Sequence, residues 1–260
     1  MLLEKYWLET KYRFFIGVLF ITALCMFFVL MQPWILEQWA LEEKLDPNLY
    51  NPPWLLIART DFTYFIWHFL HNNLLQLTWA ILTVMLALGG VQHESENGSA
   101  LFTLSLPVSR KKIFMNRVWV GFLEASVLAL LPVVVIPFLS WCIGLEYNVI
   151  TGLSHSLLFI VGGTVFYAIG VLINSLIKGE TISFFLAVSL VFVFYFLFQP
   201  YSDGMHKPFL VKMIDLPGFI AGTSEANTVS DPGIAGGLSC MAISGLLIYL
   251  SYFITLKRDF

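Results

Sequence analysis

The chain has 260 residues, of which 58% are hydrophobic and only 12% charged, with a mean hydropathy of +0.80 and a net charge of −3. A soluble domain carries about 25% charged residues, so this composition indicates an integral membrane protein. The cations lie at the ends of apolar runs and not on one solvated face, and no nucleic-acid partner is expected.

The first segment, Met1 to Arg13, alternates charges with Leu2, Leu3, Tyr6, Trp7 and Tyr12. At helical spacing this gives one apolar-aromatic face and one charged face, the pattern of a helix lying in the membrane interface (residues 1–13). It is not a cleavable signal peptide, because the next apolar run is long, no small-residue cleavage site closes it, and more spans follow. That run, residues 14–36, is the first span, since about 20 apolar residues cross the hydrocarbon. Glu37 to Asp61 reads as an external loop holding Glu37, Glu42, Glu43, Asp46 and the breaker run DPNLYNPPW. Trp34, Trp39, Tyr50, Trp54, Tyr64 and Trp67 crowd its edges, where amphipathic rings settle at a bilayer surface. The second span covers residues 65–91.

Between the second and third spans lies a polar stretch, HESENGSALFTLSLPVSRKKIFMNR, with Glu94, Glu96, Arg110, Lys111, Lys112 and Arg117. Its middle sets Leu101, Phe102, Leu104 and Leu106 against Thr103 and Ser105, an amphipathic turn or two. Pro107 stops that helix, and Ser109 can cap whatever follows. The third span, residues 113–143, contains Glu124, Pro132 and Pro137, and the prolines suggest a kinked or broken helix. The loop GLEYNVITGLSHS leads to the fourth span, residues 157–177, in which Gly162, Gly163 and Gly170 allow close helix approach. Lys178-Gly179-Glu180 is a tight turn before the fifth span, residues 181–198. Residues 199–235 form the longest non-spanning, external segment, with apolar patches too short to cross; they read as short re-entrant or surface helices. The sixth span, residues 236–256, ends at Lys257-Arg258.

The fold class is therefore an all-α polytopic membrane protein with six transmembrane helices, a single transmembrane domain over 1–260. Six spans put both termini on one side, with ten of the cations against Lys44, Arg59, Lys207 and Lys212 on the other. The positive-inside rule places the termini and the polar stretch in the cytoplasm, and the cell membrane is the expected location.

The polar stretch carries a resemblance. Glu94, Glu96 and Gly98, followed by LSLPVSRKKIFMNRV from Leu104 to Val118, resemble the carboxylate-Gly segment and the L-x-L-P-[VL]-S-R-[KR]-[KR]-I signature of permease subunits in the type-2 family of ABC exporters. The six spans, the interfacial helix and the short helices before the last span are similar to that family too, so the likeness covers the whole chain. The resemblance implies that residues 94–112 are a cytoplasmic coupling loop, its helix seated in a cleft of a separate ABC ATPase. It implies that Glu94, Glu96, Gly98, Leu104, Pro107, Ser109 and Arg110 contact the ATPase or shape the loop. It also implies two ATPase subunits and a second permease, identical or related, as partners within membrane lipid, with ATP and Mg bound by the ATPase and no cofactor in this chain. The expected role is a transport subunit that is not itself an enzyme, exporting a drug, antimicrobial peptide or lipid-like cargo. No GxxxxGK[ST] phosphate loop occurs in the chain, which fits that division of labour.

Other residues remain to be weighed. Glu124, about two turns into the third span, either lines a translocation path or pairs with Arg117 or a partner helix. Asn174, in the fourth span, is a second path candidate, although helix-to-helix hydrogen bonding is the commoner use. His68 and His71 share a helical face beside Asn72 and Asn73, but a zinc site wants three or four ligands, so capping or a polar vestibule is the favoured reading and no metal is expected. His93-Glu94 does not begin a HExxH site, because position 97 is Asn. Cys25, Cys142 and Cys240 lie far apart in apolar runs and read as buried packing thiols. The alternative functions are a membrane-embedded hydrolase or protease built on Glu124 with His68 and His71, and a secondary transporter using Glu124. The first would have to join groups about 20–30 Å apart, and the second lacks a repeat of the polar stretch in the other half.

Overall fold

Apolar runs that cannot borrow water must close their backbone hydrogen bonds internally, and the long elements of this protein are accordingly helices. The structure is a computed structural model and describes residues 2–45, 53–89, 109–177, 179–198, 223–225, 228–230 and 234–257. In chain order these form α1 (Leu2–Leu45), α2 (Pro53–Thr60), α3 (Phe62–Ile66), a π-helical segment (Trp67–Leu75), α4 (Gln76–Ala87), α5 (Arg110–Ile143), α6 (Val149–Leu176), α7 (Glu180–Phe198), a β1–β2 hairpin (Thr223–Glu225, Thr228–Ser230) and α8 (Ile234–Lys257). Among the described residues, four stretches are long and apolar enough to cross a membrane: Leu3–Leu41, Arg110–Ile143, Val149–Leu176 and Gly237–Lys257. A fifth crossing is available if Phe62–Asn72 and Gln76–Ala87, bent by 46°, act as one broken span. Glu180–Val193 is apolar but shorter.

The separate interfacial helix expected over residues 1–13 is instead the first part of α1, which runs 44 residues without a break. No Gly or Pro occurs between Leu2 and Ile16, and the N-terminal turns are held by packing: Tyr6, Thr10, Ile21, Cys25 and Phe28 are buried on one face. Leu19, Phe20 and Leu30 lie on the open side, as expected of side chains turned to lipid. At about 1.5 Å per residue α1 is ~66 Å long, well beyond a hydrocarbon core of about 30 Å.

The second expected span is interrupted. In the π-helical segment the ring nitrogen Nδ1 of His71 meets the Ile66 carbonyl five residues back, at 3.4 Å. Such a wider turn displaces the helix axis, and here it accompanies the 46° bend. The third span behaves the other way: α5 continues through both Pro132 and Pro137 to Gly144, whose φ of +78° ends it in the left-handed region. At its other end Ser109 is the N-cap, accepting from the Lys112 N–H at 3.4 Å. The expected loop before the fourth span is shorter than its sequence suggests, because the Asn148 side chain accepts from the N–H groups of Ile150 and Thr151 and starts α6 there.

Of residues 199–235, the hairpin pairs Thr223 with Ser230 and Glu225 with Thr228; the β-branched Thr223, Thr228 and Val229 favour extended backbone over the helices expected there. The rest of that segment up to the start of α8 lies outside the described residues. Cys25 and Cys240 are buried, whereas Cys142, expected inside, is exposed on the last turn of α5.

The bundle has two ends. At the terminal end lie the start of α1, the end of α4, the starts of α5 and α7, and the end of α8, where Tyr252 meets Phe114 with ring centroids 5.7 Å apart. At the far end, Trp39 meets Phe69, and Phe62 meets Tyr147 in the turn before α6. Tyr147 is half-buried there, and its partial desolvation pushes its phenol up from the ordinary value.

Trp79 is the keystone of the interior. It is 2% exposed, stacks on Phe159 of α6, and donates from Nε1 to the Ala125 carbonyl of α5 at 3.4 Å. Its ring occupies the space a side chain at Gly163 would need. Gly163→Ala therefore forces Trp79 out of its seat and should lower stability by about 1–3 kcal/mol, the usual penalty of overpacking. Gly245→Ala, where an added methyl meets nothing within 4 Å, should leave the melting temperature in detergent unchanged.

Candidate functional site

A helix ends with carbonyls that have no partner within it. Where α4 ends, at the terminal end of the bundle, that deficit is met by side chains from other helices. Leu88 leaves the helix with φ −79° and ψ 156°, and Gly89 follows with φ +105°. Arg13 of α1 donates from Nη1 to the Leu88 carbonyl at 2.9 Å and to the Met85 carbonyl at 3.3 Å. Arg117 of α5 donates to the same Leu88 carbonyl through Nη2. Asn174 of α6 donates from Nδ2 to the Gly89 carbonyl at 2.8 Å. The left-handed φ and the space both require glycine at position 89: a Cβ there would sit 2.8 Å from Arg117 Nη2.

The two guanidinium groups are tied in turn. Arg13 pairs with Glu180 in the first turn of α7. Arg117, itself buried, lies 3.9 Å from a Glu9 carboxylate oxygen and over the Tyr6 ring at 5.9 Å. Buried charges are tolerated when they are paired and hydrogen-bonded, and this network joins α1, α4, α5, α6 and α7 at one junction.

Thr10, about one turn before Arg13 on α1, donates through Oγ1 to Oε1 of Glu124, which lies about two turns beyond Arg117 on α5. Glu124 is 4% exposed, and its Oε2 has no hydrogen-bond partner among the described residues. Of the two pairings open to it, with Arg117 or with a partner helix, Glu124 makes the second, through the Thr10 hydroxyl of α1. The Asn174 contact differs from a helix-to-helix bond, since it reaches the backbone just beyond α4.

Gly89 and Ser109 mark the two ends of the polar stretch. Ser109 and Arg110 are exposed at the start of α5. Glu94, Glu96, Gly98, Leu104 and Pro107 lie outside the described residues.

The histidines are placed in the other half. His71 pairs not with His68 but with His155 of α6, ring centroids 5.4 Å apart, and His155 Nδ1 meets the Thr151 carbonyl at 2.7 Å. Among the described residues no group of three His, Cys, Asp or Glu could hold a metal ion. His155 and Asn174 are about 28 Å apart along α6 at 1.5 Å per residue, so His71 and the Glu124 junction share no active site. A polar recess at the far end is lined by Asp61, Glu146, Tyr147 and Asn148. The Asp61 and Asn148 side chains there cap α3 and α6.

Sequence reasoning singled out Asn174, Arg117 and Glu124 but not Thr10, Glu180 or the Leu88–Gly89 carbonyls. Arg13 and Glu180 read as a boundary cation and a turn residue, and only their pairing across 167 positions shows the junction.

A sequence profile of ABC-2 family transporter proteins matches residues 21–254. The chain belongs to the ABC-2 transporter family. As a member it is a multi-pass membrane transport subunit of the ABC type, and its apolar helices and their packing fit that role. No curated protein matches the chain.

Thr10→Val removes the one hydroxyl on Glu124 and leaves a buried carboxyl unsatisfied. It should lower stability by about 1–3 kcal/mol, read as a lower melting temperature in detergent, while Glu124→Gln, which retains a polar partner for Thr10, should lose less.

Proposed function

We propose that this chain is the membrane-spanning half of an ATP-driven exporter, with six spans and with its termini and the 94–112 loop in the cytoplasm. The family match over residues 21–254 carries this reading. The bent pair and the shorter α7 supply the remaining two crossings beside the four long stretches. Among the described residues, Lys5, Lys11, Arg13, Arg110, Lys111, Lys112, Arg117 and Lys257 lie at the terminal end, against Lys44 and Arg59 at the far end. That asymmetry supports a cytoplasmic terminal end at the cell membrane.

In this reading a separate cytoplasmic ATPase binds ATP and Mg, and docks on Glu94, Glu96, Gly98, Leu104, Pro107, Ser109 and Arg110. A second permease, identical or related, completes the path within the lipid. Deep in the described spans the one carboxylate is Glu124, and it is engaged by Thr10. Walls of this kind suit a hydrophobic or amphipathic cargo such as a drug, an antimicrobial peptide or a lipid-like molecule. The contacts of Glu124 and Asn174 favour a helix-tying role over a path-lining one.

The test is to purify the tagged chain from its native membranes in mild detergent and identify the chains that come with it by mass spectrometry. A Walker-type ATPase should co-purify in near-stoichiometric amount and be lost when Leu104 to Arg110 is replaced by a Gly/Ser linker. Its absence from the wild-type preparation would overturn the reading. Ser109→Cys should react with a membrane-impermeant maleimide only from the cytoplasmic side, and labelling from outside would reverse the topology.

A further inference from the structure

The polar stretch is covalently continuous with two helices, α4 through Gly89 and α5 through Ser109. A push on it reaches those two directly. The contacts at its start extend further: Arg13 brings α1, Asn174 brings α6, and Glu180, through Arg13, brings α7. Arg117 holds α5 to the same Leu88 carbonyl. We propose that Arg13, Arg117, Asn174 and Glu180 are positioning residues for coupling, a junction that makes the start of the loop and the terminal ends of α1, α5, α6 and α7 move as one body. The proposal rests on the exporter reading above and adds to it the residues that distribute the ATPase's stroke.

Three observations support a built junction over a chance surface contact. Both Leu88 and Gly89 are buried, at a point where the chain has left its helix and needs donors from elsewhere. The donors come from three different helices, so the backbone cannot shift without breaking bonds to each of them. The glycine at position 89 leaves no room for a side chain, and the guanidinium occupies that space. A junction with several charge-assisted bonds on two backbone atoms is stiff, and such contacts hold discrete arrangements rather than sliding through intermediate ones.

The experiment places spin labels at Lys112→Cys, exposed on the first turn of α5, and at Thr181→Cys, on the exposed start of α7, after replacing the native cysteines with serine. The labelled chain is purified with its ATPase and reconstituted in lipid nanodiscs, and the inter-label distance is measured without nucleotide and after trapping with ATP and vanadate. A probe in the ATPase reports that its two subunits close. With the junction intact the inter-label distribution should remain narrow and centred on the same distance in both states. Arg117→Met combined with Asn174→Leu should widen it about twofold on trapping, as two helices freed from a shared tie follow the loop unequally. Arg117→Lys, which retains a cationic donor, should restore the narrow distribution; a merely structural loss would not be rescued in this nucleotide-dependent readout. If the distance in the unaltered junction shifts on trapping as much as in the double variant, the junction does not couple these helices and the proposal is wrong. If the ATPase is retained and closes while the double variant shows no change, the proposal is equally overturned and the exporter reading stands. If no ATPase accompanies the chain at all, the exporter reading fails and the proposal falls with it.

Discussion

A backbone carbonyl at the end of a membrane helix has to find a donor, because lipid offers none. At Leu88 and Gly89 the protein meets that requirement with two arginines and an asparagine from three other helices. Much of the terminal end follows from this constraint. Arg13 and Arg117 bring charge into a buried place, so Glu180 and Glu9 must follow, and Tyr6 covers Arg117 with its ring. Asn174 meets the Gly89 carbonyl from the last turn of α6, two residues before that helix ends at Leu176.

The interior is built on a different physical basis. Trp79 fills the space that Gly163 leaves empty, and Gly170 lets α6 approach α4 until a Cβ on it would lie 2.7 Å from that of Ala87. Tyr167 then reaches across to donate to the Val118 carbonyl at 3.0 Å. Small residues facing large aromatic ones give a membrane bundle the close contact that the hydrophobic effect cannot supply between helices in lipid. Ser244 of α8 adds a polar tie to Thr164 of α6 at 2.8 Å.

The helical class, the membrane setting, the positions of the apolar runs and the family were legible in the sequence, because each depends on composition, run length or a local motif. The Ser109 cap was equally local. What escaped depends on contacts between distant positions. The amphipathic pattern of residues 1–13 is the one a bilayer surface would select, yet its buried face, Tyr6 and Thr10 among it, packs on α5. For Glu124 a partner helix is one of the open pairings, but that the helix is α1 and the residue Thr10 is set by packing between distant positions. The π-helical turn within the second apolar run, where the His71 ring also meets the Ile66 carbonyl, leaves no trace in hydropathy. His71 found its companion in His155, a residue that no local pattern ties to it.

The length of α1 has a mechanical consequence. A helix of 44 residues is a rod of about 66 Å, anchored near one tip by Thr10 and Arg13. Pivoting it by about 5° at that anchor would swing the opposite tip by roughly 5 Å, given the rise of a straight helix. Pro33 sits some 30 Å out along the arm, by the same rise per residue, and it removes one backbone bond from the rod there. Small angular changes at the terminal end would thus be magnified at the far end up to this weak point, and the last dozen residues beyond it could bend on their own axis.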